Sequence, residues 1–77
     1  MNNATIYLVA KRNGVNFTIS DKDGYELSIT LNKGSRVKIC ELVAEDREEI
    51  WFKPMREDEA PYYVLADEFE VVLERRA

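Results

Sequence analysis

Between Val15 and Leu31 the chain reads VNFTISDKDGYELSITL, and this stretch restricts the fold more than any other. Val15, Phe17 and Ile19 alternate with Asn16, Thr18 and Ser20; after Asp21-Lys22-Asp23-Gly24, the residues Tyr25, Leu27, Ile29 and Leu31 alternate with Glu26, Ser28 and Thr30. A period of two puts successive side chains on opposite faces, the pattern of a half-buried strand. Asp-Gly between two such runs predicts a hairpin, because glycine takes the positive φ that a tight turn demands.

The rest of the chain continues in short extended pieces. Asn32-Lys33-Gly34 predicts a second turn, followed by a strand over Ser35–Val43. In that strand Val37 and Ile39 share a face but Leu42 falls on the other phase, which predicts a bulge or bend near Cys40-Glu41. A loop over Ala44–Glu49 leads to a strand at Ile50–Lys53, and Pro54, which has no N–H to donate, ends it. A helix over Glu41–Trp51 is the one helical option; its β-branched entry and Pro54 favour a hairpin. Beyond a polar loop at Met55–Ala60, Pro61–Leu65 is a short strand, Ala66-Asp67-Glu68 a turn, and Phe69, Val71 and Leu73 alternate in a last strand with Glu70 and Glu74. Thr5–Ala10 is apolar on both phases, as suits a strand that is central in a sheet or paired with the last one. The fold class is therefore all-β, a single small domain over residues 1–77 in which about five to seven short antiparallel strands close into a barrel or sandwich.

Composition bounds this domain from other directions. A chain of 77 residues buries only roughly 60–65% of its unfolded surface, and one cysteine, Cys40, cannot form an internal disulfide. In its apolar-rich run Cys40 is expected to be a buried small hydrophobe, and a lone thiol suits a reducing compartment, the cytoplasm. No apolar stretch approaches the roughly 18 residues of a membrane span. Met1–Thr5 lacks the basic start and apolar core of a signal peptide, and the opening Met1 reads as that of a complete small protein. The net charge of −4 is unevenly spread, with +3 on residues 1–40 and −7 on residues 41–77. Such a separation bears on partners and solubility, not on fold.

From Tyr25 onward the order of landmarks resembles the Src-homology-3 (SH3) type of small β-barrel. ELSITLNKGSRVKICE is similar to that family's apolar strand, Lys-Gly diverging turn and β-branched strand; EIWFK is similar to its Trp-bearing strand, and PYYVLADEFEVVL to its closing segment. The resemblance spans residues 25–74 and implies the barrel fold. It also implies a peptide groove in which Trp51 and Tyr62 would take part, able to hold a polyproline helix or extended peptide. IYLVAKRNG departs from the Ala-Leu-Tyr-Asp-Tyr type of stretch that this groove uses, and ADEFE offers Phe69 but not the expected Pro and Tyr.

The residue types argue against catalysis. There is no histidine, hence no near-neutral acid–base switch, imidazole metal ligand or His-based triad. Three scattered glycines make no phosphate-cradling loop. Asp21-Lys22-Asp23-Gly24 begins like an EF-hand loop, but the fifth, sixth and twelfth positions are Tyr25, Glu26 and Asn32, where calcium coordination needs a carboxylate or carboxamide, Gly and Glu. Adjacent loop acids stay hydrated and do not develop the split pKa values of an acid–base pair. No metal or cofactor is expected. Lys33, Arg36 and Lys38 could form a basic strip, but the acidic half would repel a duplex, so direct nucleic-acid binding is disfavoured.

What remains is the acidic surface. Glu45, Asp46, Glu48 and Glu49 precede Ile50-Trp51-Phe52, and Glu57, Asp58 and Glu59 follow it, with Asp67, Glu68 and Glu70 further along. The plain alternative is that these acids serve solubility alone. The functional expectation is an acidic face on which Trp51, Tyr62 and Tyr63 are apolar anchors, aromatics giving buried area and charge giving steering. In size, charge and architecture the chain resembles small acidic phage-encoded or accessory inhibitors that mimic DNA and occupy the nucleic-acid site of a host protein. That resemblance implies a non-catalytic regulator bound to a basic protein surface, such as a host nucleic-acid-binding protein, with no membrane partner. A homodimer is a further expectation should Ile6–Ala10 lie at a sheet edge.

Overall fold

The structure is a computed structural model and describes residues 4–20, 23–54 and 59–75. These form eight strands: β1 (Ala4–Ala10), β2 (Val15–Ser20), β3 (Glu26–Leu31), β4 (Arg36–Ile39), β5 (Glu41–Glu45), β6 (Glu49–Lys53), β7 (Tyr62–Leu65) and β8 (Phe69–Arg75). The all-β expectation holds. The count exceeds the expected five to seven because the run from Ser35 to Val43 breaks at Cys40 into two strands. No helix among the described residues is long and apolar enough to cross a membrane.

The strands hydrogen-bond as β4-β1-β8, β2-β3 and β5-β6-β7, all antiparallel. β4 and β5 are separated only by Cys40, whose N–H donates to the Lys53 carbonyl at 2.9 Å. One bent segment therefore serves both three-stranded sheets. A second irregularity lies between Leu42 and Ala44, where the β5–β6 register shifts by the extra residue Val43, so the predicted irregularity is a bend at Cys40 plus a bulge at Val43. Glu41–Trp51 is a hairpin and not a helix.

β1 is central, paired with β8 from Ala4↔Arg75 to Ala10↔Phe69 and with β4 from Ile6↔Ile39 to Val9↔Arg36. This explains its apolar residues on both phases. It also closes the edge route to a dimer through Ile6–Ala10, since both sides of β1 are occupied.

One core joins the sheets: Leu8, Ala10, Val15, Phe17, Ile19, Leu31, Ile39, Ile50, Phe52 and Phe69. Phe17 lies at its centre, stacked on Phe52 at 5.9 Å between ring centroids and edge-on to Phe69 at 6.0 Å. Tyr62 ties the β2–β3 hairpin to β7: its hydroxyl accepts from Ser20 N–H at 3.0 Å and donates to the Ser20 carbonyl at 2.7 Å.

Two sequence expectations need correction. Cys40 is exposed, not buried; Val37 and Ile39 turn inward, so the residue after Ile39 points out. The hairpin is only half covered. Phe17 and Ile19 are buried, but on β3 only Leu31 is; Leu27 and Ile29 are 58% and 40% exposed, and Tyr25, just before the strand, is 74% exposed. The alternation correctly assigns a face to each residue, but the core does not extend far enough to cover β3.

Candidate functional site

Parity along β6 decides which side chains are available. Ile50 and Phe52 are buried, so Glu49, Trp51 and Lys53 point to the opposite face. Trp51 pairs with Tyr63 on β7 and with Ala44 on β5. The Trp51 and Tyr63 rings lie 5.0 Å apart at 31°, a tilted offset stack, with Tyr63 52% exposed. Leu65, opposite Glu49, and Val43 on the bulge are also exposed. The outer face of β5-β6-β7 thus carries an apolar cluster of Val43, Trp51, Tyr63 and Leu65. Its polar neighbour is Glu49, whose Oε1 accepts from the indole Nε1–H at 3.3 Å.

Tyr62 does not join this cluster. Opposite buried Phe52, it points inward and spends its hydroxyl on Ser20, so its role is structural. The same parity, read from adjacent Tyr62-Tyr63 against Trp51, separates the two tyrosines.

The acids are distributed over several places. Asp46 and Glu48 occupy the β5–β6 turn, at the end of the face nearest Glu49. Asp46 Oδ1 accepts from the N–H groups of Glu48 and Glu49, each at 2.8 Å. These two bonds, that to Glu49 first, favour the carboxylate and hold its pKa below the ordinary value. The turn between β7 and β8 lies alongside, joined by the bond from Ala66 N–H to the Glu48 carbonyl at 2.9 Å, which brings Asp67 and Glu68 to the same end. Glu45 ends β5 opposite Ile50. Glu59 is half-buried at the far end of β6, its Oε2 out of solvent with no hydrogen-bond partner among the described residues. Glu57 and Asp58 lie outside the described residues. Glu70, opposite Val9 on β8, is on the other three-stranded sheet.

Sequence reasoning missed that basic residues fold onto this acidic end. Arg12 pairs with Glu68 at 2.5 Å, and Lys11 Nζ donates to the Ala66 carbonyl at 2.8 Å. With Arg47 in the turn itself, the end is a mixed rim with an acidic excess. The two halves of the chain are less separated in space than in sequence. No local signal marks contacts across 55 and 56 residues.

The basic strip of Lys33, Arg36 and Lys38 is likewise altered by folding. Arg36 reaches across β1 to Glu74 at 2.6 Å and lies 4.9 Å above the Tyr7 ring, so its charge is answered within the sheet. Among the described residues no three carboxylate or thiol side chains gather as a metal-binding group. The chain matches no protein-family model, no curated protein and no solved structure.

Proposed function

We propose that the chain is a small SH3-like barrel acting as a non-catalytic binding protein, which docks the outer face of β5-β6-β7 on a basic protein surface and occludes a nucleic-acid site there. The observation that carries this reading is the outward Trp51–Tyr63 stack with Val43 and Leu65 around it. An exposed tyrosine stacked on a half-buried tryptophan, beside exposed Val43 and Leu65 and with charge at the rim, has the make-up of a binding hot spot. Asp46, Glu48, Glu49 and Asp67 supply the acidic rim on one side. Lys11, Arg12 and Arg47 temper it, so the aromatics carry affinity while the acids carry orientation and association rate.

The fold reading is supported by the order of landmarks. The Asn32–Gly34 turn separates β3 from β4, the Trp strand is β6, and β7 passes through the Ala66–Glu68 turn into β8, which pairs back on β1. The same outward aromatics also suit a proline-rich peptide, the competing ligand.

The test is capture of partners from native host lysate after nuclease treatment, followed by titration with and without nucleic acid. An occluding regulator recovers a basic protein, loses it at high salt, competes with that protein's nucleic acid, and is weakened by Glu48→Lys with Glu49→Lys. A partner held independently of salt through a proline-rich segment, lost in Trp51→Ala but not in the charge reversals, replaces this reading with the peptide module.

A further inference from the structure

The β2–β3 hairpin plays no part in the outer face of β5-β6-β7, and its second strand has an unusual exposure. Every residue from Glu26 to Thr30 is exposed, although the sequence alternates as a half-buried strand does. Among the described residues β3 pairs with β2 alone, in an unbroken register from Val15↔Leu31 to Ser20↔Glu26. The polar face is already served: Thr18 and Ser28 hydroxyls meet at 2.9 Å, and Thr30 donates to Asn16 at 3.2 Å. The apolar face runs from buried Phe17 and Ile19 to uncovered Leu27 and Ile29.

Natural sheets protect an edge strand with lysine, proline, a bulge or an inward charge. β3 has none of these devices, and its one charge, Glu26, sits at its first position. By contrast β8 carries Glu70, Glu74 and Arg75, and β7 is four residues long.

We propose that β3 is a self-association edge, pairing antiparallel with β3 of a second copy across a two-fold axis at Ser28. The segment Tyr25-Glu26-Leu27-Ser28-Ile29-Thr30-Leu31 is symmetric in character about Ser28, apolar and polar positions mirroring one another. Antiparallel partners share a face, so a register that placed Leu27 against Ser28 would oppose an apolar face to a polar one. With Ser28 on the axis, Leu27 meets Ile29 of the second copy, Ile29 meets its Leu27, and Glu26 meets Thr30. No like charges face each other, and each cross-strand apolar pair covers residues that the single chain leaves in water. A second copy is therefore the occupant whose pattern complements this edge, in the isologous arrangement of two-fold dimers. The dimer would join two hairpins into one four-stranded sheet and leave both Trp51–Tyr63 faces open.

Sedimentation of the full chain up to about 1 mM, where weak association registers, should show a reversible monomer–dimer equilibrium. Leu27→Glu or Ile29→Lys alone sets a charge against an apolar partner and should raise the dissociation constant by about a hundredfold. Combining the two restores dimerisation, because residue 27 then faces residue 29 of the other copy with opposite charge. Circular dichroism checks that each variant keeps its sheet. Independently of those variants, Ser28→Cys in a Cys40→Ser background should form a dimer cross-link under mild oxidation, whereas Asn16→Cys in that background should not. A chain monomeric throughout that range, a dimer indifferent to both single charges, or one whose cross-linking does not distinguish positions 28 and 16, overturns the proposal.

Discussion

Replacing Tyr62 by phenylalanine tests the tie between the β2–β3 hairpin and the rest of the molecule. The hydroxyl makes two bonds to one residue, accepting from Ser20 N–H at 3.0 Å and donating to Ser20 C=O at 2.7 Å, across 42 positions of sequence. Tyr62→Phe removes one oxygen and leaves the ring beside Phe52. A typical intramolecular hydrogen bond contributes about 1 kcal/mol net, so losing both costs about 2 kcal/mol. Should the two half-buried backbone groups stay dry, their desolvation raises this toward 3 kcal/mol; should water enter the slot, it falls toward 1 kcal/mol. For a chain of this size about 2 kcal/mol lowers Tm by roughly 8–16 °C. Urea unfolding of both proteins, at equal m-values, measures the difference, and amide exchange at Ser20 reports whether the loss is local. A change below about 0.5 kcal/mol with unaltered Ser20 exchange would mean that this bond pair does not hold the hairpin. Because Tyr62 points away from the Trp51–Tyr63 face, partner binding by the folded variant should be unchanged.

Four further outcomes are expected. Phe52→Ala, at the fully buried partner of Phe17, should cost about 3–5 kcal/mol, a large share of what a domain this size has, and lower the urea midpoint followed by circular dichroism accordingly. Gly34, at φ 90° with its N–H bonded to the Ala10 carbonyl, should lose about 1–2 kcal/mol as Gly34→Ala through the left-handed backbone, measured by urea unfolding. Asp46 has its pKa lowered by folding; its contribution is thus complete above its unfolded value near 3.8 and fades as pH falls through the lower folded one. Acid titration of stability should accordingly be flatter below that point in Asp46→Ala than in the parent. Trp51→Ala and Tyr63→Ala should each weaken partner binding about tenfold or more in the intact fold, mainly through a faster off-rate, whereas Glu48→Lys with Glu49→Lys should mainly slow association and reduce its salt dependence, as separated by surface-binding kinetics.

Much of this protein was written locally. Alternation marks β2, β3 and β8, Asp23-Gly24 places the first hairpin, and Pro54 ends the bulky run of β6, because strand parity and turn chemistry are short-range properties. The same parity sends Trp51 and Tyr63 outward and Tyr62 inward once Ile50 and Phe52 are recognised as core. The apolar neighbours of Cys40 suggest burial, but alternation from Val37 and Ile39 points it outward, where it lies.

Other features depended on pairings between distant segments. Only the pairing of β1 with both β4 and β8 made its two-sided apolar character a central position and removed its edge. Only packing brought Lys11 and Arg12 onto the turn at Ala66–Glu68 and put Arg36 over Tyr7 toward Glu74, reducing a charge separation that is plain along the chain. And only the reach of the core decided that Phe17 and Ile19 are covered while Leu27 and Ile29, on the same face, are not. The sequence by itself determines which side of a strand a residue takes, since that follows from backbone geometry. How much of that side is buried depends on what the rest of the chain lays against it.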